Sequence, residues 1–218
     1  LCLTAGSSID ISACTEQCEA VLMTWYPGAR GGRAAAGIMF GRVSPSGKLP
    51  VTFYGPDHRL PDYSDYTMRN RTYRYLEQEP LYPFGYGLTY GNVCCRQADF
   101  DSEQMVMNVA AENTGVCGTH EVIQIYCRSE ESADACRHPF LCGYRSIYLA
   151  AGSRMEISIP LSADTFTVVD SRGVRSFGGR RYTLYTGTHG PDSLSEKLSG
   201  TPVLKSYINL SEKGEQQS

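Results

Sequence analysis

Carboxylates, imidazoles, thiols and one arginine–tyrosine run are the parts of this sequence that could do chemistry. Two facing carboxylates can divide nucleophile and acid work between them. Asp10, Glu16 and Glu19 flank an early apolar segment. Asp57, Asp62 and Asp65 follow in a polar stretch. No spacing pairs any of these six acids, so they read as solvated or arginine-paired. His58, His120, His138 and His189 are scattered, each more in keeping with a surface residue than a base. Cys127, Cys136, His138 and Cys142 have the composition of a zinc site. Such sites usually space their cysteine pairs two to four residues apart, and Cys136-Arg137-His138 is tighter than that. Loop or buried thiols are the plainer reading. Cys94 and Cys95 are adjacent; thiols are again the ordinary state and a vicinal disulfide the rare one. No Gly-x-Ser-x-Gly turn is present to present a serine nucleophile.

Two further stretches invite a ligand and then argue against it. Gly28-Ala29-Arg30-Gly31-Gly32 lies before a helix-forming run, where backbone N–H groups could hold a phosphate. It lacks G-x-G-x-x-G spacing, and no Gly-Lys-Ser/Thr follows, so the glycines read as close packing of helix on strand. Met68 to Tyr75 interleaves three arginines with two tyrosines, a pattern that could stack bases and neutralise phosphates. With a net charge of -3 over 218 residues, nucleic acid is a poor fit. Arginines paired with carboxylates and stacked on tyrosines, tying a long connection down, fit better.

The elements that must position these groups fall into two kinds. Leu1 to Ala5 reads as a buried strand. Thr15 to Cys18 suits a short helical turn with Thr15 as its cap. Ala20 to Trp25 is apolar throughout, as buried parallel strands are. Arg33 to Phe40 has helix-forming composition, with Gly41 placed to end it. Val51 to Tyr54 is another short strand. The order strand, turn, strand, helix, strand is that of an open α/β sheet.

From Gln97 onward the pattern changes. Seven short strands are expected: Gln97–Phe100, Met105–Ala111, Glu121–Cys127, Phe140–Leu149, Met155–Ile159, Thr165–Val169 and Arg181–Thr186. Seven in about a hundred residues suggest an immunoglobulin-like sandwich. Between the two parts lies Glu79 to Tyr90, with Pro80, Pro83, Gly85 and Gly87 among four aromatic residues. Prolines bar it from a helix or a central strand, and the aromatics make it a packed connector. Expected boundaries are therefore 1–54 for the α/β part, 55–96 for the connector, 97–190 for the sandwich and 191–218 for a tail, with 211–218 disordered.

The composition, 41% apolar and 20% charged, is that of a globular protein. No run is long enough to span a bilayer, and no signal peptide is visible. Nine cysteines are odd in number and read as reduced, mostly buried thiols of a cytoplasmic protein. A chain that opens with Leu inside a strand reads as a fragment.

The ordered motifs resemble the C-terminal portion of family 3 glycoside hydrolases, the β-glucosidase and β-xylosidase group. The α/β part matches at Ala5-Gly6-Ser7, Trp25-Tyr26-Pro27-Gly28, Gly31-Gly32, Phe40-Gly41 and Pro45 to Thr52. The connector matches at Arg71 to Tyr75 and Pro80 to Tyr90. The β part matches that family's fibronectin type III-like domain at Asn113-Thr114-Gly115, Val122 to Tyr126, Leu141 to Tyr144 and Leu149 to Gly152. The resemblance implies retaining hydrolysis of β-linked sugars at the non-reducing end. It also implies that the nucleophile lies in a barrel domain and the acid/base ahead of Leu1, so both are outside this chain. No catalytic, cofactor or metal residue is therefore assigned here, no cofactor is expected, and the chain alone should be inactive. Its expected partners are the upstream barrel and sandwich part of the same enzyme and, in the whole enzyme, a β-linked oligosaccharide; neither nucleic acid nor membrane is expected. The alternative is a binding module that stacks sugars on Tyr144, Tyr148, Tyr182 and Tyr185. A structural cell-surface domain would need a secretion signal.

Overall fold

The computed structural model describes residues 1–210. The expected disorder of 211–218 lies outside the described residues. In the first ninety residues, β1 (Cys2–Leu3) pairs in parallel with β2 (Leu22–Met23). The helix α1 (Ser12–Thr15) lies between them, and α2 (Gly31–Met39) follows. The parallel pairing is as the apolar runs implied, but both strands are two residues long. With one partner each they are not enclosed, and Leu1 is exposed rather than buried. The helical turn also starts earlier than expected. Asp10 accepts hydrogen bonds from the Ser12 amide and hydroxyl and opens α1 there, so Thr15 ends the helix instead of capping it.

Ala34-Ala35-Ala36 gives α2 the residues that lose least on entering a helix. Gly41 ends it at φ +69°, and the Arg42 amide turns back onto Gly37 O at 2.8 Å. That is a left-handed terminus of the kind glycine permits. The expected strand Val51–Tyr54 is a single antiparallel bridge, Phe53 with Tyr82. Phe53 donates to Tyr82 O at 2.9 Å and accepts from Leu81 N at 2.8 Å. Pro50 and Pro56 leave no room for more of a ladder.

The polar stretch after it is held by one arginine. Arg71 donates to the carbonyls of Pro61, Asp62 and Asp65 at 2.9–3.2 Å. This differs from the carboxylate pairing expected of the arginine–tyrosine run. Arg74, in α3 (Thr72–Tyr75), lies over Phe140 rather than a tyrosine. Of the three arginines in this run only Arg69 pairs with an acid among the described residues, Glu77.

The second part is antiparallel. β3 (Val93–Asp101), β4 (Val106–Asn113) and β7 (Arg154–Pro160) form one sheet in the order β3-β4-β7. β5 (Thr119–Ser129), β6 (Phe140–Leu149), β10 (Arg181–Gly187) and β11 (Leu204–Asn209) form the other, in the order β11-β10-β5-β6. Alternate residues of both sheets meet in one core, with Met107, Ile123, Ile125, Leu149, Ile159 and Leu184 almost fully buried. A 3-10 turn (Ala163–Phe166) leads into the small hairpin β8 (Thr167–Val169) and β9 (Arg175–Phe177).

The stretch read as a tail from 191 is structured up to Asn209. Asp192 caps α4 (Ser193–Ser199) by accepting from Ser195 N, and Gly200 closes it at φ +71°. β11 then adds an edge strand to β10. Its alternation of Leu204, Ser206 and Ile208 with Lys205, Tyr207 and Asn209 was weak because Ser206 sits on the inward side. Its hydroxyl donates to Ala98 O at 3.1 Å, which satisfies it at the join between sheets.

Asn113 is the clasp at one end of the sheets. It is fully buried, with its amide N–H groups on Cys117 O, Leu149 O and Ala150 O and its oxygen on the amides of Asn92 and Gly115. Asn113→Ala strands these groups in the interior. It should cost about 3 kcal/mol or more, read as a lowered urea midpoint at unchanged m-value.

Candidate functional site

The six acids weighed from the sequence do not converge. Asp62 accepts from the Ser64 amide and hydroxyl, and Asp65 from the Thr67 amide. The side chains of Ser12, Ser64 and Thr67 first, and their amides second, hold Asp10, Asp62 and Asp65 below the usual carboxylate range. Each is a local turn-former. Glu16, Glu19 and Asp57 are exposed.

The histidines divide. His58 stacks on Tyr54 at 4.5 Å and shares a hydrogen bond with Gln78. His120 is exposed beside Tyr148. His189 corrects the surface reading. It is 2% exposed, with its ring nitrogens against Gly190 O and Thr201 O. Flanking glycine and threonine gave no hydrophobic pattern by which that burial could be read.

Cys127, Cys136, His138 and Cys142 do line one cavity of about 400 Å³, bounded by α3, the ends of β5 and β6 and the 3-10 turn. They are not a chelating set. His138 Nε2 is 2.7 Å from Leu76 O, Cys136 lies on the Tyr75 hydroxyl, and Cys142 turns to Ile125 O. Among the described residues no three His, Cys, Asp or Glu side chains are grouped for a metal ion. Burial pushes the Cys142 and Cys95 thiols up to about 12 and raises Cys127 as well, so these sulfurs stay protonated and unreactive. Of the nine cysteines only Cys127 is fully buried; Cys95 and Cys142 are among six that are partly covered, their sulfurs deeper than the rest of the residue, and Cys2 and Cys14 are exposed. That corrects the mostly buried reading.

The structure does bring together a polar seam between the first ninety residues and the sheets. Lys48 follows the Pro45–Gly47 turn, and its ammonium is 2.7 Å from Glu121 Oε1 and 2.6 Å from Gly87 O. Both side chains are at least nine-tenths buried. Burial raises the Glu121 pKa above the ordinary value, and Lys48 and the Val122 amide only partly offset this. Next along β5, Gln124 donates to Gly85 O at 2.9 Å and Thr188 O at 3.0 Å, and its oxygen accepts from Tyr126 Oη at 2.7 Å. Gly85, at φ +79°, has no space for a Cβ against Tyr126 and Gln124. The connector aromatics complete the seam: Phe84 stacks on Tyr73 at 4.2 Å, and Tyr73 meets Tyr126 edge-on. Ser44 bonds Thr119 at 2.7 Å, and Tyr90 Oη reaches Ile38 O at 2.7 Å. Sequence reasoning found the connector but missed Lys48, Glu121 and Gln124. A lysine in a turn and a Glu-x-x-Gln in a strand give no sign that they will meet. The tyrosines proposed for sugar stacking are split as well. Tyr144 and Tyr148 are exposed, Tyr185 is partly covered, and Tyr182 lies in the core with its hydroxyl on Phe166 O.

A short parallel α/β segment is thus locked by a buried charge and amide network onto a two-sheet antiparallel unit. Residues 1–90 match the glycosyl hydrolase family 3 C-terminal domain. The chain is 36% identical over 203 residues to a xylan 1,4-beta-xylosidase of Xylanibacter ruminicola, covering 90% of this chain and 23% of the relative. It is 31% identical over 182 residues to a periplasmic beta-glucosidase of Salmonella typhimurium, covering 75% and 24%. The solved beta-glucosidase of Bifidobacterium adolescentis superposes with a TM-score of 0.81 at 25% identity, over 96% of this chain and 32% of that one. The chain spans about a quarter of the length of the curated relatives it matches.

Proposed function

We propose that this chain is the C-terminal part of a retaining, exo-acting β-glycosidase of the β-xylosidase or β-glucosidase type. One observation carries the reading. Similarity to the xylosidase runs over 203 residues, beyond the matched domain segment and through the sheets. The nucleophile and the acid/base belong to the part of the enzyme that precedes these residues. Asp10, Asp62 and Asp65 are spent on local turns, Glu16, Glu19 and Asp57 face solvent, and the buried Glu121 that reaches the segment is paired with Lys48, which agrees with that division. Three strands facing four support reading the two-sheet unit as a fibronectin type III-like domain, and its role is to brace the catalytic part. The chain's successive units are 1–54, 55–92 and 93–190, the expected boundary at 96 moving back because β3 starts at Val93, with 191–209 adding a helix and strand to the last. Tyr26, Met39, Phe40 and Val43 are exposed on the α/β segment, and such apolar surface suits packing against the remainder of the enzyme.

Residues 1–218 alone should release no aryl alcohol from an aryl β-xyloside or β-glucoside. Mixed with the complementary upstream part, they should restore turnover. Hydrolysis by the isolated chain would overturn the reading, as would an upstream part that is fully active and stable without it.

A further inference from the structure

The outer face of the four-stranded sheet is covered at one end only. There the connector lies on Gln124 and Tyr126. Beyond them the faces of β5, β10 and β11 are open, and the register lays out their outward residues in three rows. Arg128, Thr183 and Tyr207 are opposite one another across the strands. Tyr185 lies between Tyr126 and Lys205 on one side of this row. On the other, Arg181 is opposite Asn209, and the Glu130 amide donates to its carbonyl. The short Thr183 therefore stands at the centre of longer side chains. It is 1% exposed and forms the floor of a depression of about 680 Å³.

The rim has a definite chemistry. Tyr207 is 80% exposed, and its ring stacks on no other ring among the described residues. Arg128 is exposed, and its side chain has no hydrogen-bond or ion-pair partner among the described residues. The Lys205 ammonium is 5.8 Å from the centre of the Tyr185 ring and makes no ion pair there. By contrast, Arg181 is bound by Glu131 at 2.8 Å, and Glu130 accepts the Thr183 hydroxyl at 2.7 Å. One open aromatic face on the edge strand thus shares the depression with two cations that lack a carboxylate, Arg128 across Thr183 and Lys205 two residues along the same strand. The ring can take the C–H face of a pyranose. A guanidinium offers a planar fork that fits a carboxylate. Glu130 and Asn209 remain for hydroxyl groups.

We infer that this depression is an accessory binding surface for an acidic oligosaccharide, one pyranose stacked on Tyr207 and a uronate carboxylate held by Arg128. The choice of a plant-type polysaccharide as probe rests on the glycosidase reading, but the surface is tested by binding alone. Residues 1–218 should be retarded in a native gel containing glucuronoxylan and much less in one containing neutral hydroxyethyl cellulose. Tyr207→Ala should weaken binding at least tenfold, about the loss of one stacked ring, and Tyr207→Phe should restore it. Arg128→Gln should abolish the preference for the acidic polymer. Tyr207 and Arg128 are exposed, so melting temperatures should stay near that of the parent chain. No retardation by glucuronoxylan overturns the inference. So does equal retardation by both polymers, or a Tyr207→Ala chain that runs as the parent does. A Tyr207-dependent dimer in sedimentation would instead mean that a second copy occupies the face. Failure here leaves the hydrolase reading intact, because reconstituted turnover tests that separately.

Discussion

Lys48→Met should destabilise the chain by about 3 kcal/mol or more at pH 7, because it removes one partner of a buried pair and leaves the other charge without compensation. The loss should depend on pH in a direction that the site fixes. Burial already raises the Glu121 pKa, and Lys48 is the main influence opposing it. Without the ammonium, Glu121 holds a proton still more tightly in the folded chain than in the unfolded one. A carboxyl with a raised folded pKa contributes stability that is fully present below its unfolded value and is lost as pH rises through the folded value. The deficit of Lys48→Met should therefore shrink as pH falls from 7 towards about 5 and reach its full size above neutrality. Urea unfolding at both pH values measures it. A double change, Lys48→Met with Glu121→Met, should recover most of the loss, since well-packed apolar residues often replace a buried pair at little cost. Gly87 O would still lack its donor, for about 1 kcal/mol. A deficit independent of pH would mean that water reaches the pair.

The sandwich strands were legible because a one-face-buried strand writes its burial into the chain. Ile157 and Ile159 point inward and alternate with exposed residues on β7, and Phe140–Leu149 was found at its full length. The α/β segment was harder to read. An apolar run such as Ala20–Trp25 states that a strand could be covered on both faces, not that it is. Here it pairs over two residues only. Trp25 then takes φ 52° and meets Phe53 edge-on, a backbone turn that hydrophobic pattern cannot announce. β11 was hidden for the opposite reason. An edge strand exposing Lys205, Tyr207 and Asn209 has half its residues in common with a polar tail, and only pairing with β10 distinguishes them.

The connector was legible as packed because prolines, glycines and aromatics have narrow uses. The groups it packs against were not. Glu121 reads like the exposed member of an alternating strand until a segment 73 positions earlier lays Lys48 on it. Contacts of that separation are a property of the tertiary fold, which local spacing does not encode. The same reason hid His189. The acids drew attention because carboxylates do chemistry, yet their hydrogen bonds run to residues two positions away. Short-range turns were the correct scale for them.

Gln124→Leu should be the second large loss, and its size follows from what the amide satisfies. Three groups would be left in an interior without water: Gly85 O, Thr188 O and the Tyr126 hydroxyl. Each unsatisfied group costs about 1–3 kcal/mol, so about 3 kcal/mol is a lower expectation. For a chain of this size that is a fall of about 6–12 °C in Tm. Tyr126→Phe alone should cost less, about 1–2 kcal/mol, since it orphans only the Gln124 oxygen. On the Gln124→Leu background the same change removes a hydroxyl that is already stranded, and it should cost little or even stabilise. The coupling between the two positions should then exceed about 1 kcal/mol. The physical consequence is specific to this seam. Among the described residues Gln124 is the one side chain that joins the connector carbonyl at Gly85 to the β10 exit at Thr188. Its loss should therefore raise amide exchange at Gly85 and Tyr86 before the sheet core opens. Equal protection of the connector in parent and variant, or additive single and double changes, would show that the aromatic stacking of Phe84 on Tyr73 holds the seam without the amide.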